Sequence, residues 1–133
     1  MELRDGGNLL LVTCNFVGKT YSSRRADRQI PVSVLSDGFA GDMSVVWVDA
    51  TAFEQFLAQL AALEARRQGT ARLKGMDNPD FWLEFRSTDG IGHMSVSGRV
   101  ARDGQMLEFE FPFCPSLLQN VVVEFTAIAE AVA

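Results

Sequence analysis

The chain has 133 residues, 47% of them hydrophobic and 22% charged, with a formal net charge of −5. That length and balance fit one domain with its own core and argue against disorder. Twelve cations against seventeen carboxylates argue against nucleic-acid binding, which needs a basic face to displace phosphate counterions. Modest negative charge keeps a protein soluble, and it also favours basic partners through steering.

Asn8 to Val17 is apolar and β-branched, and Ile30 to Leu35 alternates around Pro31, so both read as strands. The polar segment between them, Gly18 to Gln29, reads as a long loop carrying Arg24, Arg25 and Arg28 as a small basic cluster. Ser36 to Asp42 reads as a turn cluster and Met43 to Val48 as a third strand, with Trp47 facing the core. At Asp49 the period changes. Phe53, Phe56, Leu57, Leu60 and Leu63 form one helical stripe, predicting a helix over 50–67, with Thr51 and Glu54 as a capping box.

Four strands follow. Ala71 and Leu73 alternate with Arg72 and Lys74. Phe81, Leu83 and Phe85 alternate with Trp82, Glu84 and Arg86. Met94, Val96, Gly98 and Val100 point inward, which leaves His93, Ser95, Ser97 and Arg99 outside. Asp103–Gly104 is a tight hairpin signal, after which Leu107, Phe109, Phe111 and Phe113 point inward and Glu108 and Glu110 outward. Such alternation predicts an antiparallel meander with one buried and one wet face. Pro115 opens a second helix over 115–131 with Leu118, Val121, Phe125 and Ile128 on its apolar side. The fold class is therefore α+β: three strands, a helix, four strands and a helix, with about seven strands in one antiparallel sheet and both helices on one face.

Chemical signatures are sparse. Gly18-Lys19-Thr20 resembles the end of a phosphate loop, but position 13 is Thr where the pattern needs Gly. His93 is the only histidine; an enzyme would need it to converge with Glu84 or Glu108, beside Ser95. One His and two distant cysteines, Cys14 and Cys114, offer no metal-ligand spacing. Both cysteines sit in apolar contexts and read as buried, reduced core residues. Asp77, Asp80 and Asp89 read as turn residues. No cofactor is implied, and the chain reads as non-catalytic. Nothing resembles a signal peptide or a span of about 18 apolar residues, so a cytoplasmic protein without membrane contact is expected.

The best pointer to a contact patch is Trp82 on the wet face, with Arg86, His93, Arg99 and Glu108 around it. An alternative is a ligand pocket lined by Phe81, Phe85, Phe109 and Phe111. An open sheet edge also invites homodimerisation.

The last two-thirds of the chain carry a further pattern. Val45-Val46-Trp47-Val48 precedes the first helix, and Gly69-Thr70-Ala71-Arg72-Leu73 follows it. Phe81-Trp82-Leu83-Glu84-Phe85, Gly92 to Gly98, Leu107 to Phe111 and the helix opening at Pro115-Ser116-Leu117-Leu118 complete it. This resembles the WapI-type bacterial immunity proteins and their relatives. The resemblance implies a protein that binds and neutralises a cognate secreted toxin domain without catalysis. The chain departs from that pattern at Pro112-Phe113-Cys114-Pro115, where the family has an acidic-polar turn, and no functional residues carry over.

Overall fold

A computed structural model describes residues 1–14, 16–18, 26–76 and 79–131, with 16 and 17 described by their backbone alone. The chain is α+β, but its strands form three antiparallel sheets where the sequence predicts one of about seven strands. The first holds β1 (Glu2–Asp5), β2 (Asn8–Val12), β5 (Val32–Ser36) and β6 (Phe39–Met43), in that order. A small one holds β3 (Phe16–Val17), β4 (Arg28–Gln29) and β7 (Trp47–Val48), with β4 in the middle. Helix α1 (Ala50–Arg66) leads into the third sheet, β8 (Thr70–Lys74), β9 (Phe81–Ser87), β10 (Met94–Arg102) and β11 (Gln105–Phe113). A single 3-10 turn at Pro115–Leu117 then opens α2 (Leu118–Glu130). Two four-stranded antiparallel sheets and two helices thus make up most of the chain, and the second sheet is a meander of consecutive strands.

Local chemistry explains the split. The Asp37–Gly38 pair takes positive φ at both residues, 51° and 82°, so it makes a two-residue hairpin. Phe39 to Met43, expected as part of a turn cluster and the start of a strand, pairs in full with Ser36 to Val32. Pro31 separates β4 from β5, since it has no N–H to continue the ladder. The third sheet follows the predicted alternation closely: Met94 to Arg102 pairs with Phe113 to Gln105 on one side, and Met94 to Val100 with Ser87 to Phe81 on the other. Asp103 and Gly104 have φ of 52° and 77° and close that hairpin as expected.

The α1 cap differs from the expectation in detail. Asp49, not Thr51, is the cap, and its carboxylate accepts from the Ala52 amide at 2.7 Å. Its buried stripe, Phe53, Phe56, Leu60 and Leu63, meets Phe125 of α2 and Phe85 of β9. Phe56 and Phe125 lie edge to face at 5.0 Å between centroids, a geometry their ring quadrupoles favour. The first sheet adds Leu3, Leu10, Val12, Val32 and Val34 to the same core.

Two glycines let layers approach. A Cβ at Gly41 would lie 3.1 Å from both Leu107 and Val100, where β6 crosses the β10–β11 pair. A Cβ at Gly98 would lie 2.6 Å from the Trp82 carbonyl and 2.7 Å from the Phe109 ring, so Phe109 occupies the place of a side chain on β10.

Candidate functional site

The outward face of the third sheet is a lattice set by strand register. Its first row runs Thr70, Arg86, Ser95, Pro112; its second Arg72, Glu84, Ser97, Glu110; its third Lys74, Trp82, Arg99, Glu108. Arg72 pairs with Glu84 at 3.1 Å and Arg86 with Glu110 at 2.6 Å. Arg99 donates to Glu108 through Nε at 2.8 Å and through a second guanidinium nitrogen. Arg86 also reaches the Ser95 hydroxyl at 3.4 Å, which covers Ser95 and leaves it buried on a face expected to be wet. Exposed cross-strand pairs of this kind contribute roughly 0.2–1 kcal/mol each.

Trp82 lies at the edge of this lattice, half-buried, with the Arg72 guanidinium over its ring at 4.4 Å. That contact combines cation–π attraction with stacking of a planar cation. The indole N–H has no hydrogen-bond partner among the described residues, and it is not sealed from solvent. Lys74, directly across from Trp82, has no ion-pair partner among them. The face carries four cations (Arg72, Lys74, Arg86, Arg99) against three carboxylates (Glu84, Glu108, Glu110). The excess negative charge of the chain therefore lies elsewhere.

Four of the five residues singled out from the sequence, Trp82, Arg86, Arg99 and Glu108, share this face. His93 does not, because β10 starts only at Met94. His93 stands in the β9–β10 loop, exposed, with Nδ1 2.5 Å from Asp89 Oδ2. The other Asp89 oxygen accepts from the amides of Ile91 at 2.9 Å and His93 at 3.2 Å. Hydrogen bonding from His93, then from the Ile91 amide, holds the Asp89 carboxyl below its usual range. Asp89 thus behaves as the turn residue it was read as. Glu84 and Glu108 pair with Arg72 and Arg99, and His93 pairs with Asp89.

The four phenylalanines of the alternative pocket are packed in the core. Phe85 touches Phe56, Phe113 and Phe125, and Phe109 stacks on Phe111 at 6.2 Å. Surface clefts of about 260 to 290 Å³ open elsewhere, and Phe81 borders one of them.

Two further corrections concern charge and sulfur. Arg28, read as part of a solvated basic cluster, is fully buried. Its Nε donates to the Ile128 carbonyl at 2.8 Å, one terminal nitrogen to Ala26 at 2.6 Å and the other to Ala129. It therefore closes the C-terminal end of α2, where the free carbonyls and the helix dipole favour a cation. Burial lowers its pKa from the ordinary arginine value. A signal existed: Arg28 falls in phase with buried Ile30, Val32 and Val34. Arg24 and Arg25 lie outside the described residues, as do Lys19, Thr20 and Asp77. Cys14 is half-buried, but Cys114 is exposed, with Sγ 3.0 Å from the Ser116 hydroxyl. Hydrogen bonding from Ser116 lowers the Cys114 thiol pKa.

Among the described residues no helix is long and apolar enough to cross a membrane. No protein family and no curated protein matches the chain. Among solved structures it is similar to Trypanosoma bruciei MRP1/MRP2, at 12% identity over 88% of this chain and 83% of that one, with a TM-score of 0.44.

Proposed function

We propose that this chain is a non-catalytic protein-binding module that presents the outward face of β8–β11 to a protein partner. The observation that carries this reading is Trp82. A half-buried indole with a free N–H, held under Arg72 at 4.4 Å, is an aromatic anchor fixed before any partner arrives. Preorganised aromatic and arginine groups are where binding energy concentrates. The three ion pairs around it hold the long side chains in place, so little rotamer freedom is lost on contact.

The resemblance noted in the sequence makes the specific form an immunity protein of the bacterial cytoplasm that neutralises a secreted toxin domain. The face itself selects the partner's chemistry. With its charges largely paired internally, it suits a partner surface of alternating charge with a recess for one indole, rather than a uniformly basic one.

The test is capture from the source organism's lysate and secretome with tagged wild-type chain and with Trp82→Ala and Arg99→Glu. One stoichiometric protein held by the wild type and lost with both variants supports the reading. Suppression of that protein's toxicity on co-expression supports the immunity form. Equal capture by all three chains, or none beyond background, overturns it.

A further inference from the structure

The geometry points to a second binding surface, the free edge of β6, which we propose takes an extended basic segment of a partner protein by strand addition. Strand β6 ends the first sheet. Its two-residue turn makes Ser36 and Phe39 the first hydrogen-bonded pair of the hairpin. Antiparallel alternation then turns the N–H and C=O groups of Ala40 and Asp42 away from β5. Both residues are exposed, and neither backbone has a partner among the described residues. Such an edge is a template for another strand, and proteins normally blunt it.

The surroundings select the occupant. A cleft of about 280 Å³ runs beside the edge, with Ala40, Gly41 and Asp42 on one wall and Arg102, Gln105 and Met106 on the other. Asp37 stands in the turn at one end of β6, Asp42 on the strand, and Asp103 in the turn of the facing hairpin. Arg102, on the facing wall, is already engaged with Asp42 at 3.4 Å. The rim is thus negative, unlike the outward face of β8–β11. Phe39, at the start of β6, and Met106, on the cleft wall, are 69% and 60% exposed, which offers apolar contact beside the carboxylates. An incoming strand that alternates cations with apolar residues satisfies both, since a strand's side chains alternate with period two.

A second copy of the chain is the poorer occupant. Pairing β6 with itself would bring two molecules of charge −5 together along the same Asp37 and Asp42. This surface is separate from the Trp82 face, so either reading can fail without the other.

The experiment titrates the isotopically labelled full chain with the peptide Lys-Val-Lys-Val-Lys-Val and follows backbone amides by NMR. The expected result is a shift of the Ala40 and Asp42 amides, with slowed hydrogen exchange at both. Asp42→Lys should weaken binding roughly tenfold, and Trp82→Ala should leave it unchanged. The unsubstituted chain supplies the main readout, so a misfolded variant does not spoil the test. Four results each overturn the proposal: no binding up to about 1 mM, equal binding of Glu-Val-Glu-Val-Glu-Val, shifts centred on Trp82 and Arg99, or protected Ala40 and Asp42 amides in a free chain of doubled mass.

Discussion

Arg28 and Ile128 are a hundred residues apart in sequence, yet the Arg28 Nε donates to the Ile128 carbonyl at 2.8 Å. Through that bond and its companion to Ala129, the excursion between β2 and β5 is tied to the last turn of α2. Three carbonyls depend on one guanidinium. Arg28→Met keeps the volume but strands those acceptors, and it should destabilise the chain by about 3 kcal/mol. Arg28→Lys should recover only part of the loss, because an ammonium cannot span the fork. Urea unfolding of the three chains checks this, and a loss under about 1 kcal/mol would show that the acceptors find water instead.

Gly98 and Gly41 should respond unequally to the same added methyl group. At Gly98 the Cβ meets a backbone carbonyl and a packed ring at under 3 Å, neither of which moves cheaply, so Gly98→Ala should cost roughly 2–3 kcal/mol. At Gly41 the neighbours are the ends of Leu107 and Val100 at 3.1 Å. Gly41→Ala should cost about 1 kcal/mol and loosen the crossing of the two large sheets. Thermal unfolding that ranks the two the other way would refute the packing argument.

The Asp89–His93 pair gives a pH signature whose sign can be stated. The folded carboxyl is depressed, mainly by the His93 hydrogen bond. Its contribution is therefore complete above the unfolded aspartate range near 3.9 and is lost as pH falls through the lower folded value. Carboxyl titration by NMR should place Asp89 below ordinary aspartate, and His93→Ala should move it back up. An unchanged midpoint in that variant would assign the depression to the turn amides of Ile91 and His93.

The two cysteines should separate under a thiol reagent. Cys114 is exposed and its thiol is acidified by Ser116, whereas Cys14 packs against the core. The thiolate is the reacting form, so the native chain should show one fast and one slow thiol. Cys114→Ser should remove the fast phase, and Ser116→Ala should slow it. Two equally slow thiols would return Cys114 to the buried role its flanking Phe113 and Pro115 suggested.

Much of the second half was legible because its signals are local. Alternation from Ala71 to Phe113, the Asp103–Gly104 turn and Pro115 each act on a few neighbouring residues, and no distant contact overrides them. The first half misled where local signals were ambiguous. Asp37–Gly38 marks a turn, but only pairing with β5 shows that Phe39 to Met43 continues as a strand.

What the sequence by itself determined is the α+β class, both helices, the last meander and the face shared by Trp82, Arg86, Arg99 and Glu108. Periodicity and register in a hairpin follow from the backbone's own repeat. Only the tertiary structure decided the division into three sheets, the burial of Arg28, the exposure of Cys114 and the removal of His93 to a loop. Each depends on which surfaces meet across long stretches of chain, as where Gly41 admits Leu107 and Val100. No local pattern encodes that meeting, because a charged or small residue reads alike until its distant partner is in place.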